Sequence, residues 1–97
     1  MKIVKPTRPE SMAVLVDTIM HGDVTIMINP SEITRSRVDI IFVTENLVGV
    51  LTGPSIAIGL PVSSWPLPTL PEGARALAKV VVHSCVTSIY DGNIMEL

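Results

Sequence analysis

The side chains with the widest chemical reach in this 97-residue chain are two histidines, a single cysteine and a few carboxylates. His21-Gly22-Asp23 and His83-Ser84-Cys85 each combine residue types that bind zinc. Both histidines fall at the ends of expected helices, where an imidazole complements the negative end of the dipole. One shared site would need two chains, so no metal is assigned. Cys85 as a nucleophile would require a base and a lowered pKa. His83, two residues earlier, faces elsewhere on a helix, and Cys85 falls on the apolar face, as a core residue does. Gly49, Gly53 and Gly59 are not followed by Gly-Lys-Ser/Thr, so there is no P-loop. Asp39 and Glu45 are six strand residues apart, roughly 20 Å, too far for paired acid–base work. No Ser-His-acid set can be assembled. The chain therefore reads as free of cofactors and non-catalytic rather than catalytic, the weaker alternative being an enzyme completed at a subunit interface by His21 or His83 from neighbouring chains. What remains is polar: Lys5 and Arg8 beside an expected helix start, where free N–H groups and the dipole favour an anion, with Ser31 and Asn46 as further contacts.

The elements that would position these groups follow from patterning. Lys2 to Lys5 predicts a short strand. Thr7-Arg8-Pro9-Glu10 has the capping-box form with proline in the first turn. Met12, Leu15, Val16, Ile19 and Met20 recur at helical spacing and Gly22 is a natural stop, so residues 8 to 21 predict a helix. Val24 to Ile28 predicts a strand broken at Asn29-Pro30-Ser31. Val38 to Val43, almost continuously apolar, predicts a central strand buried on both faces. Glu45 to Leu51 fits a short helix or the return arm of a hairpin. Ser55 to Val62 predicts a buried strand before a proline-rich loop. Thr69-Leu70-Pro71-Glu72 repeats the capping-box form. Ala74, Leu77, Ala78, Val81, Val82, Cys85, Val86 and Ile89 then predict a helix from about Pro71 to Ile89, weakened by the β-branched run Val80 to Val82 and with a strand beyond His83 as the alternative.

Alternating strands and helices predict a single α/β domain over residues 1–97, a small three-layer fold with a four-stranded, mainly parallel sheet. Shifting the chain by 62 residues aligns Thr7, Pro9, Glu10, Leu15, His21, Val24 and Thr25 with Thr69, Pro71, Glu72, Leu77, His83, Val86 and Thr87. A duplication of this kind would suit the alternative, an α+β ferredoxin-like βαββαβ fold. In a parallel sheet, ligands bind outside the carboxyl ends of the strands. That edge would gather Lys5, Arg8, Ser31 and Asn46.

Composition bounds the partners. Hydrophobic residues make up 47% and charged residues only 16%, against about 25% charged in a typical domain. From Asn46 to Pro71 no side chain is charged, and five prolines and three glycines interrupt the run. So small a domain cannot hide that much apolar surface alone, which predicts a homo-oligomer or a protein partner. A net charge of −2 and three aromatic residues exclude a nucleic-acid face. The prolines argue against a membrane span. One cysteine is compatible with a cytoplasmic protein.

Two segments resemble the galactitol-type IIB component of the bacterial sugar phosphotransferase system. Val38-Asp39-Ile40-Ile41-Phe42-Val43-Thr44 is similar to that family's third strand. Ser55-Ile56-Ala57-Ile58-Gly59-Leu60-Pro61-Val62-Ser63 is similar to its fourth strand and the following loop. The resemblance covers about half the chain and implies a four-stranded parallel sheet with helices on both faces. It also implies a phosphorylated cysteine just after the first strand, where this chain reads Lys5-Pro6-Thr7-Arg8-Pro9. Phosphotransfer therefore does not carry over. Two functional expectations result: a non-catalytic interaction module, or a divergent domain that binds a small anionic ligand at Lys5, Arg8, Ser31 and Asn46.

Overall fold

The computed structural model describes residues 2–57 and 59–97, and it is built from strands. In chain order these are β1 (Ile3–Pro6), β2 (Ala13–Thr18), β3 (Gly22–Met27), β4 (Arg35–Val43), β5 (Val48–Leu51), β6 (Ile56–Ala57), β7 (Arg75–Val82) and β8 (Ile94–Glu96), with 3-10 turns at Val62–Ser64 and Asp91–Asn93. One sheet has the order β1-β2-β3; the other has β5-β4-β7-β8, with β6 added to the start of β4. Every pairing is antiparallel.

This overturns the α/β expectation, the ferredoxin-like alternative and the parallel sheet implied by the phosphotransferase resemblance. No α-helix occurs among the described residues. Residues 8–21 are a turn and a strand. Val14, Val16 and Thr18 are buried and Leu15 and Asp17 half-buried, a period of two, as β-branched side chains on a pleated surface favour. Two residues of the supposed helical stripe, Ile19 and Met20, instead stand exposed at a hairpin tip. The capping-box residues form the β1–β2 turn. Thr7 and Ser11 hydroxyls lie 2.8 Å apart, and Ser11 N–H donates to the Arg8 carbonyl at 3.3 Å. Gly22 does take a positive φ, 65°, but to close the hairpin rather than to end a helix. Likewise the second supposed helix is β7 in its first half, where the Val80–Val82 run decides for strand. A bulge between Ile41 and Phe42 of β4 leaves Leu77 as the extra residue on β7, so Leu77 and Ala78 are both buried in the core. Between Ser55 and Val62, only Ile56 and Ala57 pair with a neighbour among the described residues; Ile58 lies outside those residues.

The two sheets pack face to face around one apolar cluster. Val4, Val14, Val16 and Ile26 come from the smaller sheet; Ile41, Val43, Leu77, Val80 and Val82 come from the larger; Ile28 and Ile89 join from loops. The sheet margins meet at both sides, β3 beside β5 and β1 beside β8. Lys2 Nζ fastens the latter by donating to the carbonyls of Leu77, at 2.8 Å, and Leu97. The radius of gyration is 12.9 Å, that of a compact chain of this length, about 13 Å.

The outer face of β4 is also buried, which explains the long uncharged stretch. Val38, Ile40 and Phe42 point away from the core cluster yet are only 3%, 4% and 9% exposed. The topology assigns their cover to the crossover between β6 and β7, with Pro68 beside Gly53 and the Val38 carbonyl, while the Phe42 ring also lies over Gly49. The crossover leaves β6 opposite Arg35–Ser36, at the start of β4, and enters β7 opposite Val43, at its end, so it runs the length of the strand. Trp65 is buried edge-on to the His83 ring, at 5.6 Å between centroids, and its indole N–H donates to the Leu60 carbonyl at 3.0 Å. Trp65, Pro68, Leu70 and Ala74 turn inward while most of the crossover is exposed. Prolines suit such a cover because it has few ladder hydrogen bonds to donate.

Gly53 sets the closest approach. A Cβ there would overlap the Val38 carbonyl oxygen and lie 2.9 Å from the carbonyl carbon, with Pro68 at 3.4 Å. At Gly92 a Cβ would meet nothing within 4 Å. In urea unfolding, Gly53→Ala is therefore expected to lose about 3 kcal/mol, and Gly92→Ala to stay within about 0.5 kcal/mol of the parent.

Candidate functional site

Antiparallel strands send successive loops to opposite ends of the molecule, and this separates the residues expected to share a site. Lys5 and Arg8 lie at the β1–β2 turn. The end of β3 lies at that same end, since Met27 pairs with Ala13. Asn29 joins it to the head of β4 through the bond from Arg37 Nη2 to its carbonyl. The opposite end holds the β2–β3 and β4–β5 turns, joined by a 2.8 Å bond between His21 Nε2 and the Thr44 carbonyl. Asn46 belongs to that second end. Its backbone N–H, with that of Leu47, donates to Thr44 Oγ1 at 3.2 Å. Ser31 stays at the first end, but its hydroxyl donates to the His83 carbonyl at 2.5 Å. Of the four, Lys5 and Arg8 line one concavity. It is a shallow groove of about 360 Å³ that also contains Tyr90 and the acidic Asp91. The stretch Lys5-Pro6-Thr7-Arg8-Pro9 is thus the tail of β1 and an exposed turn, not a cysteine-bearing loop.

The remaining chemical residues are dispersed. His21 tethers two turns at one end and His83 stacks against Trp65 toward the other. Cys85 is exposed, not a core residue on a helix. It sits at φ 60°, with Sγ 3.6 Å from the Ile33 carbonyl oxygen. No group of three or more His, Cys, Asp or Glu residues suited to a metal occurs among the described residues.

Patterning does not single out one charged pair that the fold buries and fully hydrogen-bonds. Arg37 and Asp39, two apart on β4, face the same side and are buried together. Arg37 Nε lies 2.8 Å from Asp39 Oδ1, and Nη2 lies 3.1 Å from Oδ2. Arg37 Nη2 also donates to the Asn29 carbonyl, and Gly53 N–H donates to Asp39 Oδ1 at 2.9 Å. Among the described residues no buried side-chain nitrogen or oxygen lacks a partner. The pair is therefore a clasp joining the β3–β4 loop, β4 and the β5 exit, with no vacancy for a substrate. The signal was present in the sequence, an i, i+2 Arg–Asp at the head of an apolar strand.

A second concavity, about 920 Å³, lies at the His21 end. Ile19 and Met20 form a wall of it, Val43 and Ala76 contribute apolar surface, and Glu45 and Arg75 carry opposite charges. Ile19 is 91% and Met20 63% exposed. Its volume is in the range of ligand clefts, and its lining is mainly apolar with few polar groups. Among the described residues its lining includes no histidine, cysteine or serine, and Glu45 is its one acidic side chain.

Comparisons with protein families, characterised proteins and solved structures find no match for this chain. No helix among the described residues is long and apolar enough to cross a membrane.

Removing one partner of a buried ion pair strands the other charge. Asp39→Ala is expected to lower stability by about 3–5 kcal/mol. Arg37→Met combined with Asp39→Ala should lose clearly less than the sum of the two single changes. A double-mutant cycle in denaturant measures both.

Proposed function

We propose that this protein is a non-catalytic interaction module that acts as a homo-oligomer or as a subunit of a larger complex, with the β2–β3 hairpin end as its contact face. The observation that carries this reading is the exposure of Ile19 and Met20 at a hairpin tip beside an apolar groove. Leu47, at the neighbouring β4–β5 turn, is also exposed. Single exposed apolar residues are ordinary, but a cluster of them around a concavity marks an interaction site. The tip is also pre-ordered for contact: Gly22 closes it, and His21 ties it to Thr44, which limits the entropy lost on binding. A single cysteine is in keeping with a reducing cytoplasmic setting. Native mass spectrometry of gently purified protein is expected to show a discrete oligomer or complex without an added small mass. A strictly monomeric protein, freely soluble at high concentration, contradicts the reading.

A second reading has one observation in its favour. Lys5 and Arg8 do line one groove, and a small anion there would face two cations. This reading expects inorganic phosphate to shift the amide resonances of Lys5, Thr7 and Arg8, and Arg8→Ala to abolish the shifts. Spectra unchanged by phosphate end it.

A further inference from the structure

We propose that the occupant of the hairpin end is a second copy of this chain, docked across a two-fold axis. Each Ile19–Met20 tip then seats in the other's groove, and Glu45 of one copy faces Arg75 of the other. This rests on the interaction-module reading and specifies its partner.

A two-fold contact uses the same patch twice, so the patch must complement itself. This one does so in shape: an apolar projection, Ile19 and Met20, stands directly beside an apolar concavity that includes Val43 and Ala76. It also does so in charge. Glu45 and Arg75 line the same groove, and neither pairs with another described residue, the one ion pair among those residues being Arg37–Asp39. Lys2, the other cation of the groove, already gives its ammonium to the Leu77 and Leu97 carbonyls. Arg75 is thus the cation left to meet a carboxylate. Two-fold symmetry makes that meeting reciprocal, giving two Glu45–Arg75 pairs per dimer at the rim of an apolar centre, the usual anatomy of an interface. An unrelated protein partner would need an apolar knob with a similar charge arrangement; a second copy supplies all of it.

The test is sedimentation equilibrium and native mass spectrometry on the parent, Ile19→Asp, Glu45→Arg, Arg75→Glu and the double reversal. All three positions are exposed, so the variants should fold, and a thermal melt of each confirms it. The parent is expected to be a dimer. Ile19→Asp and each single reversal should weaken dimerisation about ten-fold or more, because each reversal sets like charges face to face. The double reversal should restore association to within a few-fold of the parent, which only a Glu45–Arg75 contact between copies can do. A dimer indifferent to these changes, a double reversal that fails to rescue, or an oligomer of odd number overturns this proposal and leaves the interaction reading standing. So does a parent that is monomeric alone but forms a complex with a different protein. A parent monomeric at every concentration and free of any partner overturns both, as does a monomer carrying a small bound molecule.

Discussion

Residues 36–43 of β4 are buried without exception, and this double covering is the constraint on which the rest of the molecule depends. One face meets the core cluster; the other meets the crossover. Fully burying a side chain the size of valine, isoleucine or phenylalanine contributes about 1.5–3 kcal/mol, so Val38, Ile40 and Phe42 together offer a large stabilisation. It is realised only when a segment with little secondary structure of its own is held across them. Ordering that segment costs roughly 1–2 kcal/mol per residue in backbone entropy. Its prolines lower the cost by stiffening the unfolded chain, and Trp65 anchors it. The lack of charge from Asn46 to Pro71 is therefore an internal matter first: β5, β6 and the cover all lie against β4. A large part of the apolar excess is spent within the chain, and what remains exposed includes Ile19, Met20 and Leu47 at the hairpin end and Leu60, Val62 and Leu67 on the crossover.

The polar groups divide in the same way. Arg37, Asp39, Gly53 and the Asn29 carbonyl satisfy one another around the head of β4. They fix how β3, β4 and β5 join, at the expense of desolvating two charges. His21 and Lys2 are likewise engaged with carbonyls. After these structural duties, the concave surface of the hairpin end retains an apolar wall of Ile19 and Met20 and the opposite charges of Glu45 and Arg75. The central strand reaches the groove directly: Val43 lies in the core cluster and also lines the groove.

Much of this was legible in the sequence where a segment is continuous and strongly β-branched. Val38–Val43 announced a central strand, Val24–Ile28 and Lys2–Lys5 announced two others, and the Glu45-Asn46 turn with its return arm was one of two readings offered. The sites of failure share a cause. In segments 8–21 and 71–89 the apolar residues are dense enough to satisfy both a period of 3.6 and a period of two. Val14, which does not fit the helical stripe, and the Val80–Val82 run were the residues that could have decided. A Thr-X-X-Glu sequence before them reads as a capping box, yet Thr7 and Ser11 close a strand turn. A parallel sheet would place Lys5, Arg8, Ser31 and Asn46 on one edge. With antiparallel pairing, successive loops alternate between ends, and Asn46 goes to the far one. Lys5 and Arg8 stayed together because they are close in the chain. The hairpin-end groove, by contrast, draws on Ile19, Glu45, Arg75 and Leu97, residues that only the completed fold brings together.

The double burial of β4 is most directly tested by residue-resolved amide hydrogen exchange under native conditions. The amides of residues 38–43 should be among the slowest in the chain, opening only with global unfolding, together with those of β7 that pair with them. Exchange of β4 as rapid as that of the exposed β2–β3 hairpin tip, or a protected helical segment running from residue 71 through residue 89, would contradict the account.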